Sequence, residues 1–320
     1  TDLTLRVLGE EDLLDRAIYV LRLMVVEASF NERELGAVRR TAFWELFEQK
    51  KDPEVVGWRQ LLGVLFEGHP YRKATYGEDT IKFITTRDVA DFYDRFYRPG
   101  NAAVVVSGDI DEAVVARRIG SHFGAWTGAA PELALPPAPT PNDRERICFV
   151  EAPDVTAATV YAGNVIMGSS NPDFFPFLVL KQILGGTTRS RLFMNLRESN
   201  GYASYAFSEM EVYGASGVYW ARARVLPEAI VPAVREILGE IGALASGPAV
   251  PSEIEEAKSY LVGNLPLRFE APGGFADWMA RYVALRLGPS QWDRGPDEIK
   301  RVDAERVRAA ARAYLSTPPV

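Results

Sequence analysis

The sequence predicts an α+β fold built from tandem repeated domains. Each is an antiparallel sheet backed by helices, and the first lacks its opening strands. Three observations carry this. At 320 residues the chain is longer than one ordinary core, because domains run to about 100–200 residues. Apolar residues alternate with period two in some segments and recur three and four apart in others. Two stretches of the first half also recur later at nearly one offset.

In chain order, residues 3–8 read as a short strand, and 10–28, 31–51 and 53–66 as helices. After GHPYRKATYG come a helix at 86–97, the strand AAVVVSG at 102–108, and a helix opened by Asp109 or Asp111 and ending near His122. The segment TGAAPELALPPAPTPND, rich in Pro and Ala, reads as a linker. Beyond it, 145–151 and 156–165 read as strands, 172–184 and 189–199 as helices, and 202–211 and 215–224 as two strands joined around Gly214. Helices are expected at 227–245, 251–265, 272–286 and 302–315. The boundaries are thus 1–126 for a truncated first domain, 127–144 for the linker and 145–320 for the second domain.

The repeat is direct. IKFITTRDVADFYDRFY from Ile81 lies over IKRVDAERVRAAARAYL from Ile299, an offset of 218 (299 − 81). NERELGAVRRTAFWEL lies over VPSEIEEAKSYLVGNL, with Glu34 and Leu35 opposite Glu253 and Ile254. Residues 1–8 then correspond to about 219–226, and nothing in the first half answers to 145–218. The expectation is a missing opening of roughly 75 residues, cut off, disordered, supplied by another chain or never present. The chain starts at Thr1 with no basic, apolar leader pattern.

Composition excludes several classes. A net charge of −7 argues against a nucleic-acid surface, which needs clustered Lys and Arg. Hydrophobic content of 47% and charged content of 25% are those of a globular chain. No apolar run approaches the roughly 18 residues of a membrane helix. The single cysteine, Cys148 in ICFV, is expected to be a buried structural thiol rather than a nucleophile. Gly185 and Gly186 read as a turn between helices, with Thr188 or Ser190 capping the second. Neither a phosphate cradle nor a serine nucleophile has its surrounding motif here.

Several stretches, FNERELGAVRRTAFWEL, GHPYRKATYGEDTIKFITTRDVADFYDRFYRPGNAAVVVSGDID, HFGAW and ILGGTTRSRLFMNLRESNGYA, carry a resemblance that covers nearly the whole chain. It resembles the pitrilysin/insulinase zinc peptidases, the inverzincins, and in particular the non-catalytic subunits of bacterial two-subunit members. That resemblance implies a clamshell of α+β domains around a peptide. Active members bind zinc through an H-x-x-E-H helix and a later Glu. This chain has only His69 and His122, neither in such a motif. Glu45 aligns with the distal zinc-ligand Glu and would serve only if a missing segment supplied two His. A second acidic position of many active members falls on Val38.

The resemblance therefore implies no cofactor in this chain and zinc in a partner, either a homologous catalytic subunit or a second copy. Non-catalytic subunits of this kind supply an Arg and, typically seven residues later, a Tyr to the partner's site. Arg197 matches the Arg. Seven residues on is Ser204; Tyr205 is eight on and Tyr202 five. Alternation places Tyr202 and Ser204 on one strand face and Tyr205 on the other, and a bulge would bring Tyr205 round. Arg197 with Tyr205 is the expected pair, with Tyr202 as substitute. The other readings are that Arg197 pairs with Glu198 on a non-enzymatic scaffold, or that the chain is an active peptidase lacking its H-x-x-E-H segment. Bacterial relatives of this family leave periplasm and cytoplasm equally open.

Overall fold

The computed structural model describes residues 1–72, 77–132, 136–140, 144–152, 155–247, 250–270, 272–285, 287, 289–317 and 319–320. Its elements are α1 (Glu11–Val26), α2 (Glu32–Gln49), α3 (Pro53–Leu65), α4 (Glu78–Ile81), α5 (Thr86–Phe96), α6 (Glu112–Phe123), β1 (Ala158–Met167), α7 (Phe174–Gly185), α8 (Arg191–Phe193), a π turn (Met194–Ser199), β2 (Ala203–Val212) and β3 (Ser216–Val225). The chain continues through α9 (Ile230–Ser246), α10 (Pro251–Gly263), α11 (Leu265–Arg268), α12 (Pro272–Ala284), α13 (Pro289–Lys300) and α14 (Ala304–Leu315). It divides into two compact units drawn from non-contiguous segments. One holds Thr1–Leu46, Tyr76–Ala134 and Pro266–Ala284; the other holds Phe47–Thr75, Leu135–Leu265 and Leu285–Val320.

The second unit is an antiparallel sheet in the order β1-β3-β2. Ala162, Ile166, Ala206, Tyr219, Ala221, Ala223 and Val225 point to one face and join the core with α7, α9, α10 and α14. Helix α7, FFPFLVLKQILG, is apolar almost all round and correspondingly buried. The opposite face carries Val218 and Trp220, against which α3 packs Leu61, Leu62, Leu65, Phe66 and Trp58. Each such leucine is worth roughly 1.5–3 kcal/mol of burial. Small residues at alternate positions of β3, Ala221 and Ala223, let the helices approach the sheet closely.

In the first unit, α1 and α6 meet through Leu14, Ile18 and Val115, and α2 rests Ala42 and Leu46 against Ile81. The repeat extends to the helix caps. Helix α5 begins at Thr86 and α14 at Ala304, an offset of 218 (304 − 86), and in both the preceding side chain, Thr85 or Asp303, accepts the amide three residues on.

Three expected strands are corrected. Residues 3–8, 102–108 and 145–151 form no strand and join no ladder among the described residues. Alternating Leu3, Leu5 and Val7 define a face, yet a strand also needs a neighbour for its N–H and C=O groups, and these apolar side chains are exposed. Cys148 is exposed rather than buried, because Ile147 and Phe149 beside it are likewise uncovered.

Candidate functional site

The stretch from Arg191 to Tyr205 departs from regular geometry twice. After the short helix α8 the backbone runs as a π turn over Met194–Ser199, a local widening often found at functional sites. It ends at Gly201, whose φ of 65° lies in the left-handed region that glycine enters without strain. Strand β2 follows, and its pairing with β3 slips between Ala203 and Tyr205: Ala203 faces Val225, Tyr205 faces Arg224, and Ser204 is the extra residue. A bulge turns the residue after it to the face its neighbours would not predict. Tyr205 thereby joins Phe207 on the face opposite the main core, whereas Ala203 and Ala206 stay in that core.

The sequence-derived residues fall as follows. Arg197 is half exposed. Its Nε lies 3.6 Å from Glu198 Oε1, and its guanidinium carbon is 4.9 Å from the centre of the Phe193 ring. Phe193 packs on Phe207 at 5.6 Å, and Phe207 stacks on Tyr205 at 6.1 Å with 21° between planes. Arg197 and Tyr205 are thus ends of one run of rings. Tyr202 is placed elsewhere: it packs against the main core and its N–H donates to the Leu196 carbonyl at 2.8 Å. Glu45 is exposed on α2.

At the tyrosine end, two residues that sequence reasoning did not single out complete the site. The Tyr205 hydroxyl donates to Glu54 Oε1, and Arg222 Nη1 donates to Glu54 Oε2 at 2.9 Å. The Arg222 guanidinium also lies over the Tyr205 ring at 5.4 Å. Tyr161 donates to the Glu54 carbonyl at 3.0 Å. Burial and then the bond to Glu54 push the Tyr205 phenol up to about 12. Burial likewise raises Tyr161. Burial works against the Arg222 charge, but Tyr161, Tyr205 and Glu54 hold its proton more firmly than usual. Tyr205 is therefore a neutral donor and Arg222 a permanent cation. The pattern WARAR was the readable signal, since alternation puts Trp220, Arg222 and Arg224 on one face. Glu54, in the first turn of a helix capped by Asp52, carried none.

The described residues do not fit a zinc ion. No three of their His, Cys, Asp and Glu side chains gather as ligands. The His69 Nδ1 accepts from the Tyr71 amide at 3.1 Å and its Nε2 meets the Pro137 carbonyl at 2.9 Å, so both ring nitrogens hold a loop in place. His122 Nε2 contacts Asp15 Oδ1 at 3.0 Å. Ser190 stands at the start of α8 without capping it, its hydroxyl donating back to the Thr187 carbonyl at 2.6 Å.

Comparison with known proteins places this geometry in context. The profile of the Peptidase M16 inactive domain matches residues 84–261. An uncharacterized zinc protease of Mycobacterium tuberculosis is 26% identical over 321 residues, covering 97% of this chain and 71% of the relative. The mitochondrial-processing peptidase subunit beta of Lentinula edodes is 26% identical over 307 residues, 88% of this chain and 64% of that one. Among solved structures, a protease from Helicobacter pylori superposes with a TM-score of 0.87 at 20% identity, over 95% of this chain and 75% of that chain. A peptidase M16 inactive domain from Pseudomonas fluorescens gives 0.83 at 20% identity, over 96% and 73%. The order and packing of the elements, and a profile match over more than half its length, make this chain a member of the M16 peptidase family, of the inactive-domain type.

Proposed function

We propose that this chain is the non-catalytic subunit of an M16 zinc peptidase, closing over a catalytic partner and lending Arg197 and Tyr205 to the peptide bond being cut. The single observation that supports it most is the Ser204 bulge, which aims Tyr205 away from the core and onto the same run of rings as Arg197. Attack on a peptide carbonyl builds negative charge on its oxygen, and a guanidinium and a phenol answer that charge with hydrogen bonds. A phenol that stays protonated near neutral pH suits this role. Zinc, and the group that activates water on it, belong to the partner in this reading.

The test is reconstitution with an H-x-x-E-H protein that co-purifies with this chain. This chain alone should hydrolyse nothing, and together they should cut peptide. Arg197→Ala should lower the stimulated kcat/KM by about 100-fold without shifting the melting temperature. An unchanged rate sinks the role. The pairing of Arg197 with Glu198 favours a second reading, a scaffold that keeps the fold without assisting chemistry. A partner with no peptidase motif would select it.

A further inference from the structure

The carboxylate of Glu54 is held in an unusual way for a side chain at the start of a helix. Each of its two oxygens takes a donor from the sheet, Tyr205 on Oε1 and Arg222 on Oε2. Both donors stand on paired strands, so their backbone positions are fixed without Glu54. Helix α3 does not depend on the Glu54 side chain either. Its apolar residues pack against Val218, Trp58 lies 4.3 Å from Trp220, and Tyr161 holds the Glu54 carbonyl rather than its carboxylate. The carboxylate can swing out while the helix stays docked.

The positive charge here comes from β3, with Asp52 beside Glu54 on the helix side. Arg224 stands opposite Tyr205 across the ladder and Arg222 opposite Phe207. A guanidinium presents five N–H donors in a fork that matches a carboxylate, and Glu54 takes one of them at 2.9 Å. Glu54 and Arg222 side chains are 31% and 29% exposed, so a ligand reaches them from solvent. Glu209 and Glu211 lie further along the same face of β2 and bias the approach toward the Tyr205 end.

We propose that Tyr205 and Arg222 form a carboxylate-binding site for a peptide, filled in the resting chain by Glu54 and opened when that side chain swings away. This rests on the reading of Tyr205 as a ligand-facing residue, and it adds what the ligand is and what holds the site shut. An internal carboxylate gives the donors a partner while no peptide is present and raises the threshold for binding one.

Calorimetric titration of the chain with N-acetyl-trialanine, as the free acid and as the C-terminal amide, tests this. Glu54→Gln should bind the acid at least tenfold more tightly than the wild-type chain does, with the amide unimproved. Adding Arg222→Met to Glu54→Gln should abolish the gain. Equal affinity of Glu54→Gln for acid and amide, or no gain for either, overturns the proposal. Should Glu54→Gln melt early, the wild-type chain decides: with 13C-labelled tyrosine, the Tyr205 ring signal, assigned through Tyr205→Phe, moves with the acid and not with the amide. A signal that stays put, or moves with both, also overturns it. No peptidase partner enters these measurements. Acid-selective binding together with an Arg197→Ala variant that stimulates normally would sink the catalytic role of Arg197 and leave the site standing, and the reverse pattern would do the opposite.

Discussion

The Arg222 guanidinium lies over the Tyr205 ring, 5.4 Å from its centre, while both side chains bind the same carboxylate. The arginine favours the phenolate and the carboxylate opposes it, so the two neighbours pull the Tyr205 titration in opposite directions. Arg222→Met should move its midpoint above about 12, and Glu54→Gln should move it down, short of 10 because burial remains. Absorbance at the phenolate band through an alkaline titration reads both shifts.

Stability should fall in alkali for the same reason. Tyr205 and Tyr314, the latter half-buried and donating to Asp173 at 3.0 Å, both ionise near 12 instead of 10. The folded chain holds these protons where the unfolded chain has lost them. Their contribution is complete below about 10 and disappears as pH rises to about 12. Urea midpoints across that window should drop for the wild-type chain and drop less in a Tyr205→Phe, Tyr314→Phe double variant, in which the raised Tyr161 and Tyr219 remain.

Glycine substitutions should split cleanly. A Cβ on Gly185 would sit 2.2 Å from the Ser208 amide nitrogen and 2.7 Å from the Phe207 carbonyl carbon, both backbone atoms of β2 that cannot yield. Gly185→Ala should cost about 3 kcal/mol or prevent folding. Gly239, inside α9, has nothing within 4 Å of the same position. There alanine should stabilise by about 0.5–1 kcal/mol, and chemical denaturation distinguishes the two.

Arg191 donates to both oxygens of Glu253 at 2.8 and 2.7 Å, tying α8 to α10. Burial, the largest single influence, raises the Glu253 carboxyl, but the Arg191 bonds, the Val250 amide and the Arg191 charge together outweigh it and hold the group below its usual value. This contribution is present above the unfolded value of 4.5 and is lost as pH falls through the lower folded one. Glu253→Gln should cost about 1 kcal/mol near neutrality, the pair being partly screened by water, and nothing in strong acid. Melting temperatures at both ends of the range check it.

Deleting Ser204 should be tolerated. Ala203 and the following tyrosine already face successive residues of β3, Val225 and Arg224. Removing the extra residue regularises the ladder without changing which face the tyrosine takes. The high phenol titration should survive this deletion and vanish when a residue is inserted instead.

Much of the second unit was readable. The alternation in 215–224 anticipated β3 within one residue at each end, and the apolar run of α7 left no polar stripe that could face water. The residues around Leu3 and Val104 were misread as strands because alternation reports a face and says nothing of a partner. Arg197 and Tyr205 were chosen by resemblance, and the bulge between them was an allowed guess that only backbone pairing could locate. Glu54 was invisible because its partners lie 151 and 168 residues away, and no local pattern marks a carboxylate for a distant phenol.

Between Arg191 and Tyr205 the backbone twice carries one residue beyond what a regular element requires, once in the helical segment and once in the strand. A codon lost in either place would be absorbed on the spot, leaving α7 and β3 undisturbed. The count of letters from the arginine to the tyrosine is therefore free to drift while the two side chains keep their posts. A survey of related chains that scores this interval by number alone would discard members that a survey of ladder rungs would keep.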